Sequence, residues 1–383
     1  MLLLLWVAGP VPAADVLRIG YLSLAGDPRY VQDWGYARLM RPPPIRTEEA
    51  ARMAIEDLGV LTEASGIGVS LETANVPAAE AVAAARALRD RGVRLFVADL
   101  PHDSFLAVAR ALEGRGALLL NATAPETDLR TACLPGVLHA GPSQRMLADA
   151  LMQYLRYMNW PRLLVLHGEE ADDALWATAL TGAAERLGLV VTENRPFTLS
   201  RDPSRRQENN IRLLTSGARY DAVVVADTRG EFGRYIPYAT LDPRPVVGSV
   251  GLVPLAWHWA MERDGATQVS SRFDRTYGRL MGAEDWSVWI AVKALVTARV
   301  KAGTGEPDSL RAFMTSDRFR LDGSKGVTLN FRPWNGQLRM PVLLATSDAV
   351  IAVAPLDGFD HQLNRLDTLG ADEAEFRCQD GPS

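Results

Sequence analysis

From Asp15 onward the chain alternates short β-rich runs with amphipathic helical stretches, and this alternation restricts the fold more than any other feature. The run 16–23 (VLRIGYLS) is β-rich, and 46–58 (RTEEAARMAIEDL) puts Ala51, Ala54, Ile55 and Leu58 on one helical face. A strand at 69–74, an alanine-rich helix at 78–91, an apolar strand at 93–98 (VRLFVA), a helix at 104–112 and a strand at 117–121 follow. Nearly uninterrupted apolar strands joined by helices suit a parallel sheet covered on both faces. The repeated β-α-β order predicts that it is doubly wound.

A second series starts at 144–158, where Leu147, Leu151, Tyr154, Leu155 and Met158 share a helical face. A strand at 162–166, a helix at 174–187 ending at Gly188, a strand at 189–192, a helix at 211–216 stopped by Gly217 and a buried strand at 221–226 (DAVVVA) complete it. Two separate β/α series predict two lobes, with clefts at the carboxyl ends of the strands. The last third differs. A helical stretch at 271–301 is broken near Met281-Gly282, and runs at 326–331 and 342–345 flank Arg332-Pro-Trp-Asn-Gly-Gln337. Asn335-Gly336 between them predicts a hairpin, because both residues accept positive φ.

With 383 residues and 48% hydrophobic content, the chain can fill the cores of two lobes. Its formal charge of −5 and 23% charged residues offer no basic stripe for a nucleic acid. The sequence holds no G-x-S-x-G, H-E-x-x-H or P-loop, and no G-x-G-x-x-G after the first strand. The five histidines are scattered singly, and no His/Cys cluster has metal spacing. No catalytic residue, metal or cofactor is therefore assigned, and a binding protein is expected rather than an enzyme.

Residues 1–14 (MLLLLWVAGPVPAA) resemble the back half of a secretory signal peptide, without the basic n-region. A buried N-terminal strand is the alternative. The run is too short for a membrane span, which takes about 20 apolar residues. Export would place the protein in an oxidising compartment, making Cys133 and Cys378 a candidate disulfide rather than two free thiols.

Several segments, in order, resemble the type I periplasmic solute-binding proteins of the Leu/Ile/Val-binding kind. They are LRIGYLSLAG, VRLFVADLPHDS, ALLLNATAPETDLR, GVLHAGPSQRMLADAL, RLLVLHGEEADDALW and GVTLNFRPWNGQLRMPVLL, spanning about 16–355. The insertion DPRYVQDWGYARLMRPPP, the helix MGAEDWSVWIAVKAL and the tail DGFDHQLNRLDTLGADEAEFRC resemble, more narrowly, a subgroup associated with PQQ-dependent alcohol dehydrogenase systems. The resemblance implies a clamshell of two doubly wound lobes joined by a three-strand hinge. One lobe would comprise 15–139 and 260–328, the other 140–259 and 329–355, with a tail at 356–383. It also implies a monomeric periplasmic component of an ABC transporter that captures a small solute and docks on an inner-membrane permease. A ligand-sensing receptor docking on a membrane signalling partner is the alternative function.

In the family, the first lobe holds a ligand carboxylate through hydroxyls and N–H groups at helix starts. The matching positions here are Ser104, the Ala122 backbone and Thr123, although Ser and Thr also cap and turn without any ligand. Asp99 and Asp103 would repel a carboxylate at this place. In the second lobe Trp176 lies near the expected aromatic position, and Asp227 and Glu231 are candidate replacements for the acid that binds an α-amino group. The insertion 27–44 brings Tyr30, Trp34 and Tyr36 beside Arg29, Arg38 and Arg41, a set that would stack on an aromatic ligand or pair an anion. The expected ligand is a small molecule, anionic or aromatic, other than a branched-chain amino acid. Trp257-His258-Trp259, Trp286 and Trp289 are read as packing residues.

Overall fold

The computed structural model describes residues 15–30, 46–199 and 202–378. The signal-like start and most of the insertion, Trp34, Tyr36, Arg38 and Arg41 included, lie outside the described residues.

The first group of elements runs β1 (Asp15–Leu24), α1 (Glu48–Asp57), α2 (Gly59–Ala64), β2 (Ile67–Val76), α3 (Ala81–Asp90), β3 (Leu95–Asp99), α4 (His102–Leu112), β4 (Leu118–Asn121), α5 (Asp128–Thr131) and β5 (Val137–His139). Its strands form a parallel sheet in the order β2-β1-β3-β4-β5. Strand alternation divides the side chains between two cores. Ile19, Tyr21, Val97 and Leu120 join one cluster with Ala50 and Ala54 of α1, while Leu22, Phe96 and Leu119 join another with Ala85, Leu88, Phe105 and Val108 of α3 and α4. All residues of β3 and β4 are buried, which is why their sequences are unbroken apolar runs with an acid or amide only at the end.

The second group comprises α6 (Gln144–Tyr157), β6 (Arg162–His167), α7 (Ala171–Arg186), β7 (Val190–Pro196), α8 (Ile211–Leu214), β8 (Ala222–Ala226), β9 (Val246–Gly248) and β10 (Val253–Leu255). Strands pair in parallel in the order β7-β6-β8-β9. The chain then returns to the first sheet with α9 (Ala266–Tyr277), α10 (Ala283–Ala302), α11 (Pro307–Met314), β11 (Leu321–Asp322) and β12 (Thr328–Leu329). The break foreseen near 281–282 is real: Gly278 ends α9 with φ 68°, and α10 packs along α1. Finally β13 (Val342–Ala345) and β14 (Val350–Ala354) form an antiparallel sheet with β10, against α6.

The hairpin expected around Asn335-Gly336 is present but short. The turn exists, with Gly336 at φ 64° and Arg332 N–H on Gln337 O at 2.9 Å. Its flanks, however, pair only through Phe331 and Leu338 and through Arg339 N–H on Asn330 O. The strand β12 pairs with β11, and β13 with β10 and β14, because this segment is passing between the two groups of elements.

The chain makes that passage three times, at 140–143, 256–265 and 330–341. The first and third passages are bound together: His139 N–H donates to Gly336 O at 2.8 Å, and Leu338 N–H to His139 O at 2.8 Å. Gln337 Nε2 reaches Gly141 O at 2.9 Å. Gly141 fits only as glycine, since an added Cβ would collide with the Ala122 carbonyl. The second passage carries Trp257, stacked on Trp286 of α10 at 6.1 Å. Trp257, Trp286 and Trp289 are fully buried and His258 nearly so, as expected of packing residues.

Cys133 and Cys378 form a disulfide, their Cα atoms 5.6 Å apart. The segment that carries Cys378 does not lie on the first sheet alone. Leu356 N–H binds Gln153 of α6 at 3.2 Å, and Gly370 N–H binds Asp149 of α6 at 2.8 Å. Leu366, Asp367 and Leu369 are buried. The tail is thus packed along the second lobe before it reaches Cys133.

Candidate functional site

The carboxyl ends of β1, β3 and β4 converge on one buried acid, Asp99, the last residue of β3 and only 1% exposed. Its Oδ1 accepts from Thr123 Oγ1 (2.6 Å), Tyr30 OH (2.8 Å) and Arg29 Nη2 (3.1 Å). Its Oδ2 accepts from Thr47 Oγ1 and, at 3.4 Å, from Tyr21 OH. Arg29 is held as firmly from its other side: Nη2 lies 2.7 Å from Asp27 Oδ2 and Nε 3.1 Å from Asp27 Oδ1. Burial alone would weaken the proton on Arg29, but the hydrogen bonds it donates to Asp27, with the nearby Tyr30 and Asp99, raise its affinity above the usual arginine value. Burial and the charge of Asp99 push both Tyr21 and Tyr30 well above the ordinary phenol range, so both remain donors. Glu284, in the first turn of α10, completes the edge; burial, with Asp285 and Asp99 adding to it, raises its carboxyl.

This arrangement uses up two of the three groups expected to hold a ligand carboxylate, Thr123 and the Ala122 N–H. The Thr123 hydroxyl donates to Asp99. The Ala122 N–H donates to Ala98 O at 3.0 Å, extending the sheet, and Ala124 N–H to Asn121 Oδ1 at 3.0 Å. Ser104 is half-buried within the first turn of α4, whose N-cap is Pro101, so it neither caps that helix nor joins the Asp99 cluster. An anion paired by the arginines of the insertion is likewise not what Arg29 offers, since two carboxylates already share it. The edge carries three acids, Asp27, Asp99 and Glu284, against one arginine. By charge alone this edge disfavours a carboxylate, while Asp99 itself is buried with both oxygens occupied by the protein's own donors.

The second group of loops behaves similarly. Asp227, just after β8, accepts from Gly230 N–H (3.0 Å), Phe232 N–H (2.9 Å) and Gly233 N–H (2.7 Å). It is a loop anchor, not the expected amino-group acid; burial raises its carboxyl, and these N–H groups oppose the rise. Glu231 lies buried in the same loop. Asp173 of α7 accepts from both N–H and Oγ1 of Thr228 at 2.6 Å, tying the β6 and β8 loops together. Trp176 is core: it is 8% exposed and packs in the large cluster with Leu180. Gly248, at φ 115°, ends β9 where an added Cβ would strike Val225 O.

Tyr21, Thr47, Asp27 and Glu284 were not singled out from the sequence. Tyr21 and Asp27 flank the end of the first strand, but nothing local marks Thr47 or Glu284, which the fold brings to Asp99 from α1 and α10.

A family model described as periplasmic binding protein matches residues 45–206. No curated protein matches the sequence. Among solved structures, a periplasmic binding protein from Burkholderia mallei is similar at 16% identity and TM-score 0.67, covering 96% of this chain and 99% of that one. A branched-chain amino acid ABC transporter periplasmic ligand-binding protein from Burkholderia xenovorans is similar at 15% identity and TM-score 0.72, covering 95% and 99%. An ABC transporter substrate-binding protein from Desulfitobacterium hafniense in complex with Leu is similar at 16% identity and TM-score 0.66, covering 88% and 99%. The chain has the type I periplasmic binding protein fold, with two lobes built on parallel sheets. These three neighbours are named for binding or for substrate capture, not for catalysis. Among the described residues, no helix is long and apolar enough to cross a membrane.

Proposed function

We propose that this chain is the periplasmic solute-capturing component of an ABC transporter, delivering a small organic molecule to a membrane permease. The single observation that carries this reading is the pairing of two parallel sheets through three passages, with polar loops gathered at the carboxyl ends of both. Such loops are where open α/β sheets receive ligands, and hinged lobes can close around them. We take the lobes as 15–139 with 260–328 and 140–259 with 329–355, acting as a monomer in the periplasm.

The solute we assign is neutral or cationic and rich in donors, contacting Tyr30 and Glu284 in the field of the buried Asp99. The crowding of Thr123 and Arg29 by Asp99 supports this, and it speaks against leucine, the ligand of one fold neighbour. A link to PQQ-dependent alcohol oxidation rests on the subgroup resemblance of the insertion and tail, and alcohols meet the donor requirement. A thermal-shift screen against alcohols, polyols, amines, amino acids, carboxylic acids and PQQ tests the assignment. Saturable stabilisation by a member of the first three sets is expected. Stabilisation confined to acids, or none by any solute, contradicts it.

A further inference from the structure

Beyond β14 the chain follows α6 from its second half back toward its first turn. Gln153 Nε2 donates to Thr368 O and Oγ1 at 3.2 Å, Asp149 accepts from Gly370 N–H, and Arg145 pairs with Glu375. On its other side the same segment grips the third passage between the lobes. Arg332 of that passage is 0% exposed, and its Nε donates to Asp367 Oδ1 at 2.7 Å. Its Nη2 donates to Leu366 O at 2.9 Å and Leu369 O at 2.7 Å. Arg339, also in the passage, donates to both oxygens of Asp367 at 2.8 and 3.0 Å, and Trp334 Nε1 donates to Ala371 O at 3.2 Å. Seven residues later the tail is bonded through Cys378 to Cys133, which stands between α5 and β5 of the first sheet.

We propose that residues 366–378 form a disulfide-latched clamp on the hinge. The tail is fixed to the second lobe by α6, lodged in the third passage by Asp367, and joined covalently to the first lobe. It is a fourth connection between lobes already joined by three. A buried guanidinium keeps its place only while its carboxylate partner and carbonyl acceptors stay in position. The rigidity of 330–341 therefore depends on the tail, and the bond holds the tail at high local concentration against the hinge. Cys378 is exposed, so a dithiol can reach the bond. Exchange transfers two electrons and two protons, leaving Cys133 and Cys378 as thiols and the reductant as its own disulfide.

The clamp rests on the two-lobed solute-capture reading but is tested without any solute. Amide hydrogen exchange is measured on the full chain, oxidised, and on the double variant Cys133→Ser with Cys378→Ser. Faster exchange by at least tenfold is expected at 365–376 and also at Gly336, Leu338 and Arg339, with β3, β4 and β8 unchanged. Asp367→Ala, with the bond intact, should loosen the same hinge amides. Hinge amides that stay at the wild-type rate while the tail amides exchange tenfold faster would overturn the proposal. If the double variant fails to fold, shown by fast exchange in β3 and β8, dithiothreitol added to the native protein supplies the same comparison. Small-angle scattering of these samples separates the two ideas. A rigid single globule in every sample counts against hinged capture, whereas unchanged hinge exchange counts against the clamp alone.

Discussion

Replacing Asp99 by alanine tests the reading of the first-lobe edge most sharply. The side chain is almost wholly buried and is the common acceptor for Thr47, Thr123, Tyr30, Tyr21 and Arg29. Breaking a buried charged pair by removing one member costs about 3–5 kcal/mol. Arg29 would keep Asp27, which places the expected loss near the lower figure, about 3 kcal/mol. For a lobe of this size that corresponds to a fall in Tm of roughly 6–12 °C. Asp99→Asn keeps the shape and one acceptor oxygen, and the hydroxyls can rotate to accept from its amide, so about 1–2 kcal/mol is expected. Urea unfolding followed by circular dichroism measures both, with the slope m unchanged because the exposed surface is unchanged. An alanine variant within 1 kcal/mol of wild type, or an asparagine variant less stable than alanine, would refute the reasoning.

Three further outcomes follow from the same structure. Asp367→Ala leaves Arg332 and Arg339 buried without their shared carboxylate and should cost about 3–5 kcal/mol in urea unfolding, while Leu363→Ala, at an exposed tail position, stays within about 0.5 kcal/mol. Gly141→Ala drives a methyl group into the Ala122 carbonyl, which is backbone and cannot swing away, and should cost about 1–3 kcal/mol by thermal unfolding. Lys325 is buried with Pro341 O at 3.0 Å and the Trp286 ring as neighbours, and burial holds its ammonium well below the ordinary lysine range. The unfolded chain then binds this proton more readily, so stability should rise as pH climbs from the folded value toward the unfolded value of about 10.4. Lys325→Met should flatten that rise and add about 1 kcal/mol or more at pH 7, measured by urea unfolding across pH 7–10.

The parts of the fold legible in the sequence were those encoded by unbroken local patterns. The runs LFVAD, LLLN and AVVVA are buried throughout, and only parallel strands between two helical layers need such runs. Asp99 stood out as a carboxylate where the resemblance implies that the family accepts one, and in the structure it accepts from Thr123, Tyr30 and Arg29. The misreadings came from long-range partners. No local pattern in the tail announces that Asp367 meets Arg332 and Arg339, because the chain has first turned back 35 and 28 residues. The hairpin at Asn335-Gly336 was half right, since the turn is local but its flanks are claimed by other strands. The anchoring role of Asp227 was not legible either, because the N–H groups it accepts from lie three, five and six residues on, beyond the two-residue reach of an Asx-turn.

The central claim concerns what the protein captures, and matched ligands examine it directly. Calorimetric titration with the acid, the alcohol and the amine of one carbon skeleton, repeated for linear, branched and aromatic skeletons, isolates the contribution of a carboxylate. In every set that binds, the account predicts that the acid is the weakest member, by at least tenfold, because Asp99 already occupies the donors that would receive it. Tighter binding of the acid in any set, or of leucine over leucinol, would contradict it.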